Sequence, residues 1–177
     1  MTWWLKYAFT GAMLLLLSGC RMPSTTTVHP AFYHWKTTFD PAPESRQLVR
    51  GLATERIYLR LFDVDWDENL KAPAPLAYLE PKQPLNTFEV EWVPTIFITN
   101  RSLTLLPVQD VPPFAEKLIS KVLELTETLD PSSVPEVQLD CDWTQSTREV
   151  YFRLLKICRE RLSEQGIALS ATIRLHQ

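Results

Sequence analysis

From Val137 to Asp142 apolar and polar side chains alternate without a break: Val137, Leu139 and Cys141 against Gln138, Asp140 and Asp142. Side chains two apart in a strand share a face, so this segment presents one apolar face and one face carrying two carboxylates. Segment 168–175 repeats the pattern, with Leu169, Ala171, Ile173 and Leu175 on one side and Ser170, Thr172 and Arg174 on the other; His176 follows in phase. Parallel strands buried on both faces normally read as unbroken apolar runs. Two strands with the same polar side therefore predict a sheet whose apolar face lies under helices and whose other face lines a polar interior.

Apolar segments at 31–36, 56–62 and 92–99 read as further strands, alongside 135–143 and 168–175. Helical spacing separates most of them. Segment 44–53 is a short helix after Pro41 and Pro43. Segment 113–129 places Leu118, Val122, Leu125 and Leu129 on one face and ends at Asp130-Pro131. Segment 146–165 aligns Tyr151, Leu154, Leu155, Cys158 and Leu162, with Gly166 as its C-cap. Strands alternating with helices imply parallel pairing through crossovers, an α/β class. The polar interior narrows the expectation to a partial (β/α)8 TIM-type barrel, about its first five strands. A whole barrel takes about 250 residues, so 31–177 is expected to be the N-terminal part of a barrel truncated at its C-terminus. Pro73, Pro75, Pro81 and Pro84 leave no room for a long helix in 67–91. That interval reads as an extended excursion with short strands at 76–79 and 87–91.

At the N-terminus, Met1 to Lys6 carries one positive charge and an apolar run follows from Tyr7 to Leu17. The run is too short to span a bilayer, which takes about 20 residues, and the layout is that of a signal peptide over 1–19. Leu17-Ser18-Gly19-Cys20 resembles the bacterial lipobox, which implies cleavage after Gly19 and a lipid such as palmitate on Cys20. Residues 20–30 hold little to bury and read as a flexible, lipid-anchored tether. The same resemblance brings in a sorting rule: Arg21, rather than aspartate, after the lipidated cysteine implies the outer membrane more than the inner.

Of 18 Lys and Arg residues only Lys6 precedes Cys20, so 17 remain against 21 Asp and Glu. With no basic cluster, this balance argues against a nucleic-acid partner. Cys141 and Cys158, besides Cys20, are too few for a disulfide scaffold or a cysteine-built metal site. They read as buried neighbours between strand and helix or, in an exported chain, as a disulfide.

Barrel active sites are built at the C-terminal ends of strands, where Asp142, Arg174 and His176 fall. Asp140 and Asp142, about 6.6 Å apart along a strand, supply the acid and carboxylate pair that glycoside cleavage needs. Asp142 then lies nearest the substrate and Asp140 supports it. Arg174 or His176 orients it or neutralises charge, and Trp143 and Trp35 are the stacking candidates for a sugar ring. Equally, Asp140, Asp142 and Arg174 read as a buried ion-pair network that holds the interior together. Asp63, Asp65 and Asp67 have the D-x-D-x-D spacing of a calcium loop, but Glu68 stands where glycine is needed and Ala74 where glutamate is. No metal and no cofactor are expected.

Segment 137–144 resembles the fourth strand of the family 18 glycosidase barrels, a strand of alternating aspartates ending in a glutamate. Asp140 and Asp142 match the assisting aspartates, while Thr144 stands at the position of the catalytic acid. The resemblance thus implies the fold without the intact mechanism. Tyr33-His34-Trp35-Lys36, Val137 to Trp143 and Ala171 to Gln177 look like an uncharacterised family of bacterial lipoproteins whose domain is taken to be a glycoside-hydrolase-like barrel. That resemblance implies a lipid-anchored membrane protein of the cell envelope. It would act on glycans or, without catalysis, bind them or serve a structural role. It brings no activity with it.

Overall fold

The computed structural model describes residues 29–131 and 133–173. The signal peptide, Cys20, most of the tether, Arg174 and His176 lie outside these residues. Within them the chain is a mixed α/β structure around a mostly parallel sheet. Strands β1 (Ala31–His34), β3 (Arg56–Asp67), β6 (Glu91–Ile98), β7 (Glu136–Cys141) and β8 (Ala168–Ala171) lie side by side in chain order, each parallel to the next. A separate parallel pair is made by β2 (Thr38–Phe39) and β5 (Glu80–Pro81). The crossovers carry α1 (Pro43–Gly51), then α2 (Asn100–Leu105) and α3 (Val111–Leu129), then α4 (Arg148–Ser163).

The alternation sets which way each strand faces. Val137, Leu139 and Cys141 of β7 are at most 1% exposed and pack in the main core with Leu118, Val122, Leu154 and Cys158 of α3 and α4. In β3, Ile57 and Leu59 point the same way, but Leu61 and Phe62 are both buried, which strict alternation forbids. The cause is a register shift between Arg60 and Phe62. It is a bulge that adds one residue and returns Phe62 and Val64 to the helix side. β6 sits at the centre of the sheet and is buried over most of its length, with Trp92, Ile96 and Ile98 on the helix side and Val93 and Thr95 on the other.

The proline-rich excursion differs from its reading. β4 (Ala72–Leu76) folds back antiparallel on the outer half of β3, from Asp63 opposite Leu76 to Asp67 opposite Ala72. Pro73 and Pro75 alternate along β4, so their missing N–H groups fall on one side, and an edge strand tolerates this. The strands expected at 76–79 and 87–91 are replaced by the end of β4, by β5 and by a 3-10 turn at Leu85–Thr87.

Helix ends follow local chemistry. Pro112 and Pro113 occupy the first turn of α3, where no N–H partner is lost. Asp130 closes α3 with φ 45°, in the left-handed region, just before Pro131. Gly166 takes φ 71° after α4, a conformation glycine adopts at little cost. α1 buries none of its side chains and leaves Leu48 55% exposed.

Cys141 and Cys158 are buried thiols on the two sides of the sheet–helix interface and form no disulfide. Burial pushes the Cys158 thiol up to about 12, so almost no thiolate exists at neutral pH. Iodoacetamide at mildly alkaline pH is therefore expected to leave Cys158 unmodified in the native chain and to label it after denaturation. Peptide mapping checks this, and native labelling would contradict the packing of α4 on β7.

Candidate functional site

No helix packs on the second face of the sheet among the described residues. Parallel register assigns to it Ala31 and Tyr33 of β1, Arg56, Tyr58, Arg60 and Asp63 of β3, Glu91, Val93, Thr95 and Phe97 of β6, Glu136, Gln138 and Asp140 of β7, and Ser170 of β8. β1 and β7 are three strand spacings apart, about 14 Å in a flat sheet. Yet the Tyr33 hydroxyl donates to Gln138 Oε1 at 3.0 Å. Side chains standing on a flat sheet could not meet across that gap, so the sheet curls toward this face and makes it concave. Val93 and Thr95, both 0% exposed, lie at the bottom of the concavity.

Three layers run along the strands. Nearest their N-terminal ends, Arg56 donates to Glu91 at 2.6 Å and to Glu136 at 2.9 Å. The hydrogen bond to Glu91 holds the guanidinium above its ordinary value, with Glu136 adding to it. This ion-paired cluster lies across the N-terminal end of the concave face. In the middle layer the Tyr33 ring stacks on Tyr58 at 4.5 Å, and Gln138 Nε2 donates onward to Ser170 Oγ at 3.3 Å. Burial pushes the Tyr33 hydroxyl above its ordinary value, against the opposing effect of Gln138.

The third layer is the mouth, at the C-terminal ends of the strands. Trp35, 42% exposed, stacks on Tyr33 with ring centroids 5.8 Å apart and planes 9° from parallel. Its carbonyl accepts from Arg60, whose guanidinium is paired with Asp63. The bulge in β3 creates that pair: it brings two residues three apart onto one face. Asp140 accepts from the Thr172 hydroxyl. Asp142 lies one residue past the end of β7 and is half-buried.

Trp143 is on the other side. Its ring stacks on Tyr151 at 6.3 Å and meets Phe152 edge-on at 5.5 Å, against the main core. The expectation that it faces a sugar alongside the aspartates is therefore corrected: Trp143 continues the phase of Val137, Leu139 and Cys141. Asp140 and Trp35 do share the concave side. The aromatic ladder of Tyr58, Tyr33 and Trp35 was not foreseen as a unit. Its signal was the polar phase Arg56-x-Tyr58-x-Arg60 in β3, which matches that of Gln138 and Asp140.

Loops beyond the mouth are tied together by polar side chains. Thr144 bonds to Ser146 at 2.9 Å, and its backbone amide donates to Thr147 Oγ1 at 2.9 Å. Thr147 in turn donates to Asn100 Oδ1 at 2.7 Å. Thr144 thus belongs to the turn that starts α4. Thr99 caps α2, accepting from the Ser102 amide, and its hydroxyl donates to Asp65 at 2.6 Å.

That hydroxyl, aided by the Trp66 amide and Arg101, holds the Asp65 carboxyl below its ordinary value. A depressed folded value stabilises the fold above the unfolded pKa, near 3.9. That stabilisation is lost as pH falls through the lower folded value. Thr99→Val should cost about 1 kcal/mol at neutral pH through the lost cap, and should lose less further stability than the parent between about pH 5 and 3. Urea unfolding at both pH values checks this; identical acid sensitivity would remove Asp65 from the account.

A cavity of about 620 Å³ lies beside the concave face, between β1 and α1, with Phe32, His34, Trp35, Phe39 and Leu48 among its walls. Burial lowers the His34 pKa, and its Nε2–H donates to the Thr38 carbonyl at 3.1 Å. The concave face is the better candidate despite the larger hollow here, because it gathers carboxylates, amide and stacked rings at strand ends. Among the described residues no group of three His, Cys, Asp or Glu side chains is placed to hold a metal ion, and no helix is long and apolar enough to cross a membrane. Comparison with protein-family models, with curated proteins and with solved structures returns no match.

Proposed function

We propose that this chain is a lipid-anchored protein of the bacterial envelope, held at the outer membrane through an acylated Cys20, and that its concave face binds glycan. In this reading the five parallel strands in chain order, curled about a polar interior, are the first five of a (β/α)8-type barrel. The observation that carries the glycan reading is the stack of Tyr58, Tyr33 and Trp35, which opens at the strand ends on the same face as Asp140. Exposed ring faces beside fixed hydrogen-bonding groups suit a sugar, whose ring has apolar C–H faces and a polar rim. The engagement of Thr144 in a helix-starting turn favours binding over cleavage.

A second reading, glycoside hydrolysis, draws support from Asp140 and Asp142 at the end of β7. One experiment separates the two: titrate the chain with defined oligosaccharides by calorimetry and analyse the same samples for products. Saturable heat without products supports binding, and products that vanish in Asp142→Asn support hydrolysis. No heat and no products across neutral, acidic and amino-sugar oligomers would sink both.

A further inference from the structure

The N-terminal ends of the strands carry an apolar patch that the concave face does not use. A surface helix normally turns its apolar stripe onto the core. α1 buries none of its side chains, and only its Val49 packs, half-buried, against the second core of Phe39, Phe88 and Trp92. Leu48 and Leu52, one turn apart and so on the same side, are 55% and 46% exposed. Phe32 of β1, 38% exposed, walls the same hollow as Leu48. An apolar group of this kind, left outside the core, marks a surface for interaction.

The path of the chain indicates what covers it. Leu52 closes α1 just before β3 begins at Arg56, and Ala31, the first residue of β1, is paired with Arg56. His29 Nδ1 lies 2.8 Å from a Glu55 carboxylate oxygen. The segment arriving from Cys20 is therefore held beside the end of α1, where the leucines are. However it runs, the chain from Cys20 to His29 reaches at most about 32 Å, so a lipid on Cys20 keeps this end of the domain close to the bilayer. We propose that Leu48 and Leu52 of α1, with Phe32 of β1, dock the domain on the phospholipid surface that holds the Cys20 lipid. The inference rests on the lipid-anchor reading and adds an orientation to it. The N-terminal ends of the strands face the bilayer, and the mouth of the concave face, with Trp35, opens away from it. An amphipathic helix lying in a membrane interface sets its apolar side into the boundary between headgroups and acyl chains, which is where these leucines would go.

The test uses the mature lipidated chain, labelled at Leu48→Cys with an environment-sensitive nitrobenzoxadiazole fluorophore, on vesicles of phosphatidylethanolamine and phosphatidylglycerol. Cys141 and Cys158 are buried and do not compete for the label. Flotation of the chain with the vesicles reads the anchor, and the fluorophore reads docking. A blue shift is expected, with emission lost when the phospholipids carry bromine on their acyl chains. Neither change is expected at Lys156→Cys, an exposed position on α4. Leu52→Cys repeats the measurement if Leu48→Cys does not fold. Flotation with a fluorophore that stays in water overturns docking and leaves the anchor standing. A blue shift that brominated lipid does not quench means that a second copy covers the patch, and overturns docking as well. A chain that does not float fails the anchor reading, and the inference falls with it.

Discussion

Phe62→Ala is expected to lose about 3–5 kcal/mol of unfolding free energy, the range for a fully buried phenylalanine. The side chain is 0% exposed, sits in the main core and meets Tyr78 with ring centroids 5.8 Å apart. It is also the first residue after the bulge, so its burial depends on the extra residue that restores the strand phase. Domains of this size are stable by roughly 5–15 kcal/mol in total, which makes the loss a large share. Urea unfolding at neutral pH measures it, with Ile173→Ala as the control: Ile173 is 78% exposed and its truncation should stay within about 0.5 kcal/mol. A cost near that of the control would mean that Phe62 is not in the core and that the β3–β6 register is wrong.

Trp35→Ala should weaken oligosaccharide binding at least tenfold, about 1.4 kcal/mol, if the concave face is the proposed glycan site. Stability should change little, since the ring is partly exposed and rests on Tyr33 alone among the described rings. Trp143→Ala should do the opposite. Its ring packs against Tyr151 and Phe152 at the core, so truncation lowers stability by roughly 2–4 kcal/mol and leaves affinity unchanged. The two tryptophans thus form a paired test by calorimetry and urea unfolding. Affinity lost in Trp143→Ala and retained in Trp35→Ala would move the site off the concave face.

The elements legible in the sequence are those where one period runs unbroken. α3 and α4 are long enough for their apolar stripes to repeat over several turns, and β7 alternates through its whole length. Where the phase changes, reading fails. Leu61-Phe62 places two apolar residues together, which ends an alternating pattern on paper; in the folded chain a bulge absorbs the extra residue and β3 runs on to Asp67. Asp63 and Asp65 then become strand residues, beyond the end of the strand expected at 56–62. α2 has six residues, too few for a period to show. Pro73 and Pro75 excluded a long helix but did not mark where a strand would form; at alternate positions on an edge they cost β4 little.

By itself, then, the sequence determined the α/β class, the five parallel strands, the helix ends at Asp130 and Gly166, and the polar side of β7. These depend on near neighbours and on burial of one face, which local spacing encodes. Only the tertiary structure decided the curl that lets Tyr33 reach Gln138, the pairing of Arg56 with Glu91 and Glu136, and the stacking of Trp35 on Tyr33 and Tyr33 on Tyr58. Such contacts join residues up to 105 positions apart, and which of several polar residues on a face will meet is set by strand register and sheet curvature, neither of which a local pattern specifies.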